Sequence, residues 1–557
     1  MLNGSIKNKQ KAGNAARVRK LILGGVFGGV AVALLTANTI PPPADWPMFG
    51  QNPANTATNV TETAISNKSV GALKTKWTFT TGGDVSARAA VVNGIAYFPD
   101  WGGNIWAVDA NSGKLAWGHK LSDYGLAAGT VSRTSPAVAN GIVYIGTQYV
   151  TSGPTGWLLA INASTGALVW KIQPDTSNPF PVITASPVVA AGNVYVGMTS
   201  NEEYVAADPN YPCCSVRGSV VAVNASNGAI LWQTFTVPAG YSGGNVWGSN
   251  PVVDVARGKV YVGTGNNYSV PNDPAYASCI TAGGTRAACQ SPNNNADSIL
   301  ALDMFSGTVK WATRLETWGQ QFTQGVADGS DFWNTACGGF FGSPVNCPPN
   351  PGPDYDFGSA PNEITYQSSS GPKTIIGAGQ KSGIYYALDP DTGAELWHTQ
   401  VGPGSSLGGL EWGSASDGVR IYVAICNLFG IPYAAGNAGS WAALDPATGK
   451  ILWQVADPNG SIDLGPMAVA NGVVYAPSMA APSIFSGLPP DPPSTPSMFA
   501  LDASNGNILW KFAAGSSVNA GATIVNGIVY WGAGYSHLGI PDYTANNKFY
   551  AFTKNGN

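Results

Sequence analysis

At 557 residues the chain is long for a single domain, although propellers and barrels keep such lengths in one unit. Only 10% of its residues are charged, against 71 Gly and 18 Trp, which suits short strands, tight turns and aromatic-filled sheet faces and argues against long solvated helices. A formal net charge of −4 with no basic stripe argues against nucleic acid as a partner.

The first element is a leader. Lys7, Lys9, Lys11, Arg17, Arg19 and Lys20 precede an apolar, Gly-rich run from Leu21 to Leu35, and the first acidic residue is Asp45. A basic head, an apolar stretch of about fifteen residues and small residues near Ala37 read as a secretory signal. The stretch is shorter than the roughly 20 residues of a membrane-spanning helix. Residues 1–40 are therefore expected to be a signal peptide or signal anchor, and residues 41–557 to work outside the cytoplasm, periplasmic or secreted. Contact with a membrane is expected only if the leader is retained.

After the leader one phrase recurs: an apolar strand, Asp or Asn, three residues, Gly, three residues, Trp. It reads IWAVDANSGKLAW to Trp117, LLAINASTGALVW to Trp170, VVAVNASNGAILW to Trp232 and ILALDMFSGTVKW to Trp311. It continues as YYALDPDTGAELW to Trp397, WAALDPATGKILW to Trp453 and MFALDASNGNILW to Trp510. Each copy predicts a hairpin in which Asp or Asn opens the turn, Gly takes a positive φ and the second strand carries Trp inward. A second phrase alternates with it, a small-residue strand, an Asn-Gly or similar turn, then a strand such as Val-Tyr-Val. Two hairpins per period make a four-stranded blade.

Seven complete phrases leave matching remainders. LKTKWTF near the start is a Trp strand without a partner, and KFYAFTKNGN at the end is an inner strand without a Trp strand. Joining Trp77 to the C-terminal hairpin predicts an all-β, eight-bladed β-propeller whose ring is closed by its N- and C-terminal strands, removing exposed sheet edges. Seven blades with stray end strands is the competing count.

The seven cysteines fit an oxidising compartment. Cys279/Cys289 and Cys337/Cys347 each lie ten residues apart in Pro/Gly/Asn-rich loops and are expected to be local staples, although spacing leaves the pairing open. Cys213 and Cys214 are adjacent, and Cys426 remains. No Cys-x-x-Cys-His motif for covalent c-type haem occurs, and three histidines argue against a His-based zinc or copper site.

The Asp-x-x-x-Gly-x-x-x-Trp phrase resembles the tryptophan-docking motif of the pyrroloquinoline quinone (PQQ) dehydrogenases, over nearly all of the chain after the leader. By itself it speaks for fold alone, since scaffold propellers of the cell envelope carry similar phrases. Residues outside the phrase extend the resemblance. VGMTSNEE before CCSVRGSVVAV resembles the family's Gly-x-x-x-x-Glu segment, which implies Glu202, or Glu203 one residue on, as a calcium ligand. NVWGSNPVVDVARGKVYVGTGNN implies Trp247 as the floor under PQQ and Asn266 as a further ligand. GPDYDFGSAPNEI resembles the catalytic segment, with Asp356 as general base and metal ligand and Asp354 two residues upstream. Lanthanide-using relatives carry Asp two residues after the base, where this chain has Gly358, so calcium is implied.

The same resemblance places Lys381 against the quinone carbonyl and gives Arg133, Thr184 and Thr199 as cofactor contacts. There are departures. Where methanol-type relatives carry a vicinal Cys-Cys before the contacting Arg, this chain has Ala127-Ala128. Its own pair, Cys213-Cys214, precedes Arg217 in another blade and is a candidate cofactor contact or a loop staple. An early Glu of the family is replaced, by position, with Ser86. The Cys-Cys-Ser-x-Arg-Gly-Ser segment, the Cys337/Cys347 loop and GPDYDFGSAPN most resemble the polyvinyl alcohol dehydrogenases. That implies a PQQ- and calcium-dependent oxidation of secondary hydroxyls to ketones, with electrons leaving to a separate cytochrome c. A non-catalytic scaffold or binding propeller of the cell envelope is the alternative. The Pro-rich stretch from Ala481 and the loop from Asn266 to Asn295 are candidates to line an entrance.

Overall fold

The computed structural model describes residues 45–149, 156–248, 250–315, 330–338, 343–483, 491–537 and 543–557. The expected leader and residues 484–490 of the Pro-rich stretch lie outside them. Among the described residues no helix is long and apolar enough to cross a membrane.

Eight antiparallel four-stranded blades form a ring. Blades 1 to 4 begin with innermost strands Ala90–Val92, Ala137–Ala139, Val188–Ala190 and Val252–Asp254. Blades 5 to 8 begin with Asn362–Ser368, Ala415–Ser416, Ala468–Ala470 and Thr523–Val525. From blade 1 to blade 7 each innermost strand packs beside that of the next blade, and the strand of blade 1 meets that of blade 8. Blade 8 takes its outermost strand, Leu73–Thr80, from the start of the chain, paired with Lys548–Lys554 at the end. Trp77 pairs with Ala551 there, so the ring closes as expected.

The docking phrase has a direct physical reading. Each Trp indole donates across the blade boundary to a backbone carbonyl of the next blade's turn: Trp77 to Ala110 at 3.2 Å, Trp117 to Ala163 at 2.8 Å and Trp232 to Met304 at 3.1 Å. Its ring lies over the turn glycine. Gly113 adopts φ +71°, and a Cβ there would sit 2.7 Å from the Trp77 ring, so both backbone and space demand glycine. Asp109 supplies the turn's side-chain acceptor, its Oδ1 taking the Ser112 N–H at 2.8 Å. At the closing boundary Trp510 donates to the Leu73 carbonyl at 3.0 Å.

Residues 46–59, unassigned by the repeat, run around the inside of the ring and touch the blades in order. Trp46 exchanges backbone hydrogen bonds with Val91 of blade 1, and the Pro47 carbonyl accepts from Val138 of blade 2. Met48 joins the buried cluster that includes Val188 of blade 3. The carbonyls of Pro53, Ala54, Thr56 and Ala57 accept from Val253, Glu363, Ser416 and Val469 of blades 4 to 7. Asn59 Nδ2 donates to Ile524 of blade 8 at 2.8 Å.

The expected staples are present: Cys279–Cys289 ties the short helices Pro274–Thr281 and Arg286–Cys289, and Cys337–Cys347 closes its own loop. Cys213 and Cys214 are bonded to each other, and Cys426 is a buried free thiol.

Candidate active site

The segment entering each blade passes the ring axis before it becomes the innermost strand. Four positions ahead of the strand starts stand Ser86, Arg133, Thr184, Gly248 and Asn519, and these five residues line one cavity together with Trp412. The same position in blades 5 and 6 is Gly358 and Glu411. The propeller's symmetry thus gathers residues far apart in the chain at one place.

Beside this layer lies the most tightly connected polar group in the axial region. Asp356 is 3% exposed. Its Oδ1 accepts the backbone N–H of Asn266 at 2.6 Å, and its Oδ2 accepts the Trp247 indole N–H at 2.7 Å and the Lys381 ammonium at 3.2 Å. Lys381 also reaches Asp354 Oδ1 at 2.9 Å and lies 5.2 Å from the Trp247 ring centroid. Local backbone bonds hold these groups: Lys381 N–H donates to the Asp356 carbonyl at 3.0 Å and Phe357 N–H to Thr264 at 3.1 Å. Asp331 receives the N–H groups of Asp354 and Tyr355. Gly265 is required next to the carboxylate, since a Cβ there would lie 2.6 Å from Asp356 Oδ1.

Burial opposes the charge of Lys381, but Asp354 and Asp356 outweigh it and hold the amine protonated. Burial pushes the Asp354 carboxyl well up, and Asp356 and Glu203 add to that while Lys381 opposes it. Trp247 is flanked edge-on by Trp412, their centroids 5.4 Å apart, and its carbonyl accepts from Thr184 Oγ1 at 2.8 Å. The Arg133 guanidinium lies 4.5 Å from the Trp412 ring centroid, and its charge faces Tyr535 and Glu411.

The two candidate glutamates are placed differently. The Glu202 carboxylate does not join this group. Glu202–Val205 forms a helical turn, so successive side chains point apart, and the following loop doubles back onto Glu202. Its Oε1 accepts from the Tyr211 hydroxyl at 2.6 Å and Ser215 N–H at 2.7 Å, and its Oε2 from Val216 N–H at 2.8 Å. The alternative, Glu203, faces the cluster: its Oε2 accepts from Tyr268 at 3.1 Å, and burial raises its carboxyl to about 7, with Lys381 opposing and Asp356 adding to the shift.

Thr199 is buried on the strand leading to Glu202, its carbonyl accepting from Asn178 at 3.1 Å, and no hydrogen bond ties it to Trp247, Asp356 or Lys381 among the described residues. The Cys213–Cys214 pair sits on the loop that Glu202 holds, with Asn334 Nδ2 3.8 Å from Cys213 Sγ and 2.9 Å from the Tyr268 carbonyl. Arg217 turns elsewhere and stacks 3.8 Å from the Phe235 centroid. Ser86 Oγ accepts the Trp101 indole N–H at 2.8 Å.

Two residues escaped the sequence reading. Glu411 is buried and raised to about 7, burial opposed by Lys381 and Arg133 and reinforced by Asp356. Trp412 follows it. The available signal was register, because counting from the innermost strand puts Glu411 on the layer of Arg133 and Thr184.

The residues present fit a hard cation. Asn266 is 1% exposed, and its Nδ2 is spent on the Asn267 and Trp333 carbonyls at 3.1 and 2.9 Å, leaving its buried Oδ1 without a hydrogen-bond partner. That oxygen belongs to a residue whose backbone N–H already grips Asp356. Among the described residues the carboxyls of Asp354, Asp356, Glu203 and Glu411 share the cations Lys381 and Arg133, and a divalent cation would offset the excess of acids. Among the described residues no three His, Cys, Asp or Glu side chains converge as a complete metal cage. Oxygens from a bound cofactor would therefore complete a coordination shell.

A family model described as outer membrane protein assembly factor BamB matches residues 66–292, 380–475 and 437–557, which hold the docking repeats apart from the one ending at Trp311. A polyvinylalcohol dehydrogenase of Sphingopyxis sp. (strain 113P3) is 30% identical over 509 residues, covering 85% of this chain and 70% of the relative. One from Pseudomonas sp is 29% identical over 527 residues, covering 88% and 71%. The crystal structure of the quinohemoprotein alcohol dehydrogenase from Comamonas testosteroni superposes with a TM-score of 0.67 at 19% identity over 93% of this chain and 81% of that one, which supports the fold. Taken with the eight-bladed ring, these similarities show that the chain belongs to the PQQ-dependent quinoprotein alcohol dehydrogenases, as an oxidoreductase that resembles the polyvinyl alcohol dehydrogenases among them.

Proposed function

We propose that the chain binds PQQ against the face of Trp247, with calcium held by Glu203, Asn266 and Asp356, and oxidises secondary alcohols, including the hydroxyls of polyvinyl alcohol, to ketones. The observation that carries this reading is the unpartnered Oδ1 of Asn266 beside an Asp356 held by Trp247 and Lys381. When bound, PQQ polarised by the cation supplies the two-electron acceptor. Asp356 accepts the proton of the alcohol hydroxyl; three hydrogen bonds fix its carboxylate in place for that transfer. Lys381 stays protonated and balances the charge on Asp356. Thr184 fixes the backbone of Trp247, and Arg133 offers a cation to the cofactor's carboxylates from the Trp412 face. The family resemblance adds Thr199 and the Cys213–Cys214 pair as cofactor contacts. Calcium is favoured over a lanthanide because position 358 has no room for an acid: a Cβ on Gly358 would lie 2.8 Å from the Trp247 ring.

Two relatives are named for polyvinyl alcohol, which makes that polymer the substrate to try first. The family resemblance implies a cytochrome c as the acceptor to which the electrons would pass. The staples Cys279–Cys289 and Cys337–Cys347 favour a periplasmic or secreted site of action. The test is dye reduction by purified protein reconstituted with PQQ and calcium chloride, using secondary alcohols and polyvinyl alcohol. Turnover on both is expected; absence of bound quinone absorbance and of turnover would contradict the reading.

A further inference from the structure

A second group of carboxylates lies between blades 6 and 7, and the redox chemistry does not use it. Residues 457–463 link the two blades and fold back past Gly439: Asp457 N–H donates to the Gly439 carbonyl at 3.0 Å and Gly439 N–H to Ser461 at 2.8 Å. This brings Asp457 and Asp463 together in the interior. Asp463 is fully buried with Ser478 and Asp457 as its side-chain neighbours, and neither of its carboxylate oxygens completes a hydrogen bond of ordinary geometry with the described residues. Asp457 is 3% exposed; its Oδ1 takes the Asn459 N–H at 2.7 Å, while its Oδ2, with Ser461 and Ser478 near the carboxyl, completes no hydrogen bond of ordinary geometry. The Ser478 side chain stands beside both carboxyls, and Asp463 Oδ2 and the Ile425 carbonyl converge beside Gly439. A third acid, Asp491, is held nearby by Ser461 Oγ at 2.8 Å. Among the described residues no Lys or Arg forms an ion pair with Asp457 or Asp463.

Buried carboxylates with incompletely hydrogen-bonded oxygens and no counter-charge are unfavourable unless a cation or a proton completes them. The donors here are all oxygen, the preference of a hard divalent ion, and glycine at 439 keeps side-chain bulk away from Asp463. We propose that Asp457 and Asp463 bind a calcium ion at the junction of blades 6 and 7, independently of PQQ and of the alcohol site. The ion would cross-link the segment 457–463 to blade 6, at a boundary that the Trp453 indole bond to Ala503 also spans. Burial pushes both carboxyls up, Asp463 well above the ordinary range, so calcium uptake there displaces protons.

The experiment uses chelator-treated full-length protein without PQQ, titrated with calcium chloride and read by bound calcium, proton release and Tm. Asn266→Ala serves as the background that disables the axial ligand set. The expected result is one bound calcium in that background, with proton release and a rise in Tm. Asp463→Asn, and Asp457→Asn as a second variant, should each lose that calcium and the Tm response, and in the otherwise wild-type chain should keep PQQ-dependent dye reduction. Equal calcium uptake with and without Asp463→Asn would overturn the proposal. So would an Asp463→Asn protein more stable than its parent at every calcium concentration, the signature of an acid pair sharing a proton. Failure of the alcohol dehydrogenase reading would leave the calcium count untouched.

Discussion

The indole N–H of Trp247 donates to Oδ2 of Asp356 at 2.7 Å, so the aromatic platform and the proposed base are one mechanical unit. Trp247→Phe keeps a ring and removes that donor. A hydrogen bond to a charged acceptor is worth about 1.5–3 kcal/mol, which corresponds to a fall of roughly 10- to 100-fold in kcat. PQQ affinity should change far less, and comparing kcat with the Kd for PQQ separates the two effects.

Lys381 is the ammonium that both Asp354 and Asp356 share, at 2.9 and 3.2 Å. Removing one partner of a buried ion pair costs about 3–5 kcal/mol because the remaining charge is left unbalanced. Lys381→Met is expected to lower the urea midpoint of the cofactor-free protein by a corresponding amount, and calcium should recover part of the loss by balancing the carboxylates.

Adjacent glutamates should separate cleanly. Glu202 holds the loop 211–216 through three donors within 2.8 Å, so Glu202→Ala should destabilise the protein by about 1–3 kcal/mol and loosen the Cys213–Cys214 loop to proteolysis. Glu203→Gln should leave stability nearly unchanged while weakening calcium binding in the presence of PQQ by about 10-fold or more. The opposite pattern would restore Glu202 as the ligand.

Glu411 gives the cofactor-free protein a pH dependence of definite sign. Its carboxyl rises from an ordinary 4.5 to about 7 through burial, with Lys381 and Arg133 opposing and Asp356 adding to the shift. A folded pKa above the unfolded one means that folding favours the protonated form. The stabilisation is complete below about pH 4.5 and is lost as pH rises through about 7. Urea midpoints measured between about pH 5 and pH 8 should fall with rising pH, and Glu411→Gln should make that fall shallower.

Much of this was legible in the residues themselves. The docking phrase encodes a physical contact, Trp77 over Gly113 and its six equivalents, and a contact repeated around the ring leaves a pattern that can be counted. The ring closure and the Cys279–Cys289 and Cys337–Cys347 staples were equally open to reading, because they depend on local or complementary segments. Residues 46–59 left no such mark, since they are held mainly through backbone carbonyls that any sequence supplies. The choice between Glu202 and Glu203 depends on the helical turn Glu202–Val205, which spacing alone does not announce. Glu411 was hidden because its role comes from its place in the ring, on the layer of Arg133, and glutamate by itself announces nothing.

Asp356→Asn addresses the proposed chemistry most directly. The asparagine keeps one acceptor oxygen, enough for the Trp247 indole and Lys381 or for the Asn266 N–H but not for both, and the Trp247 face is unchanged, so the site should still take up PQQ and calcium. Rapid mixing of the PQQ-loaded variant with a secondary alcohol, followed by the quinone absorbance, isolates proton removal from later electron transfer. The expected result is full quinone absorbance on mixing and bleaching slowed by about 100- to 10,000-fold relative to wild type, the usual contribution of a positioned general base. Bleaching of the loaded variant at the wild-type rate would show that Asp356 is not the base and would contradict the assignment of this cluster as the catalytic centre.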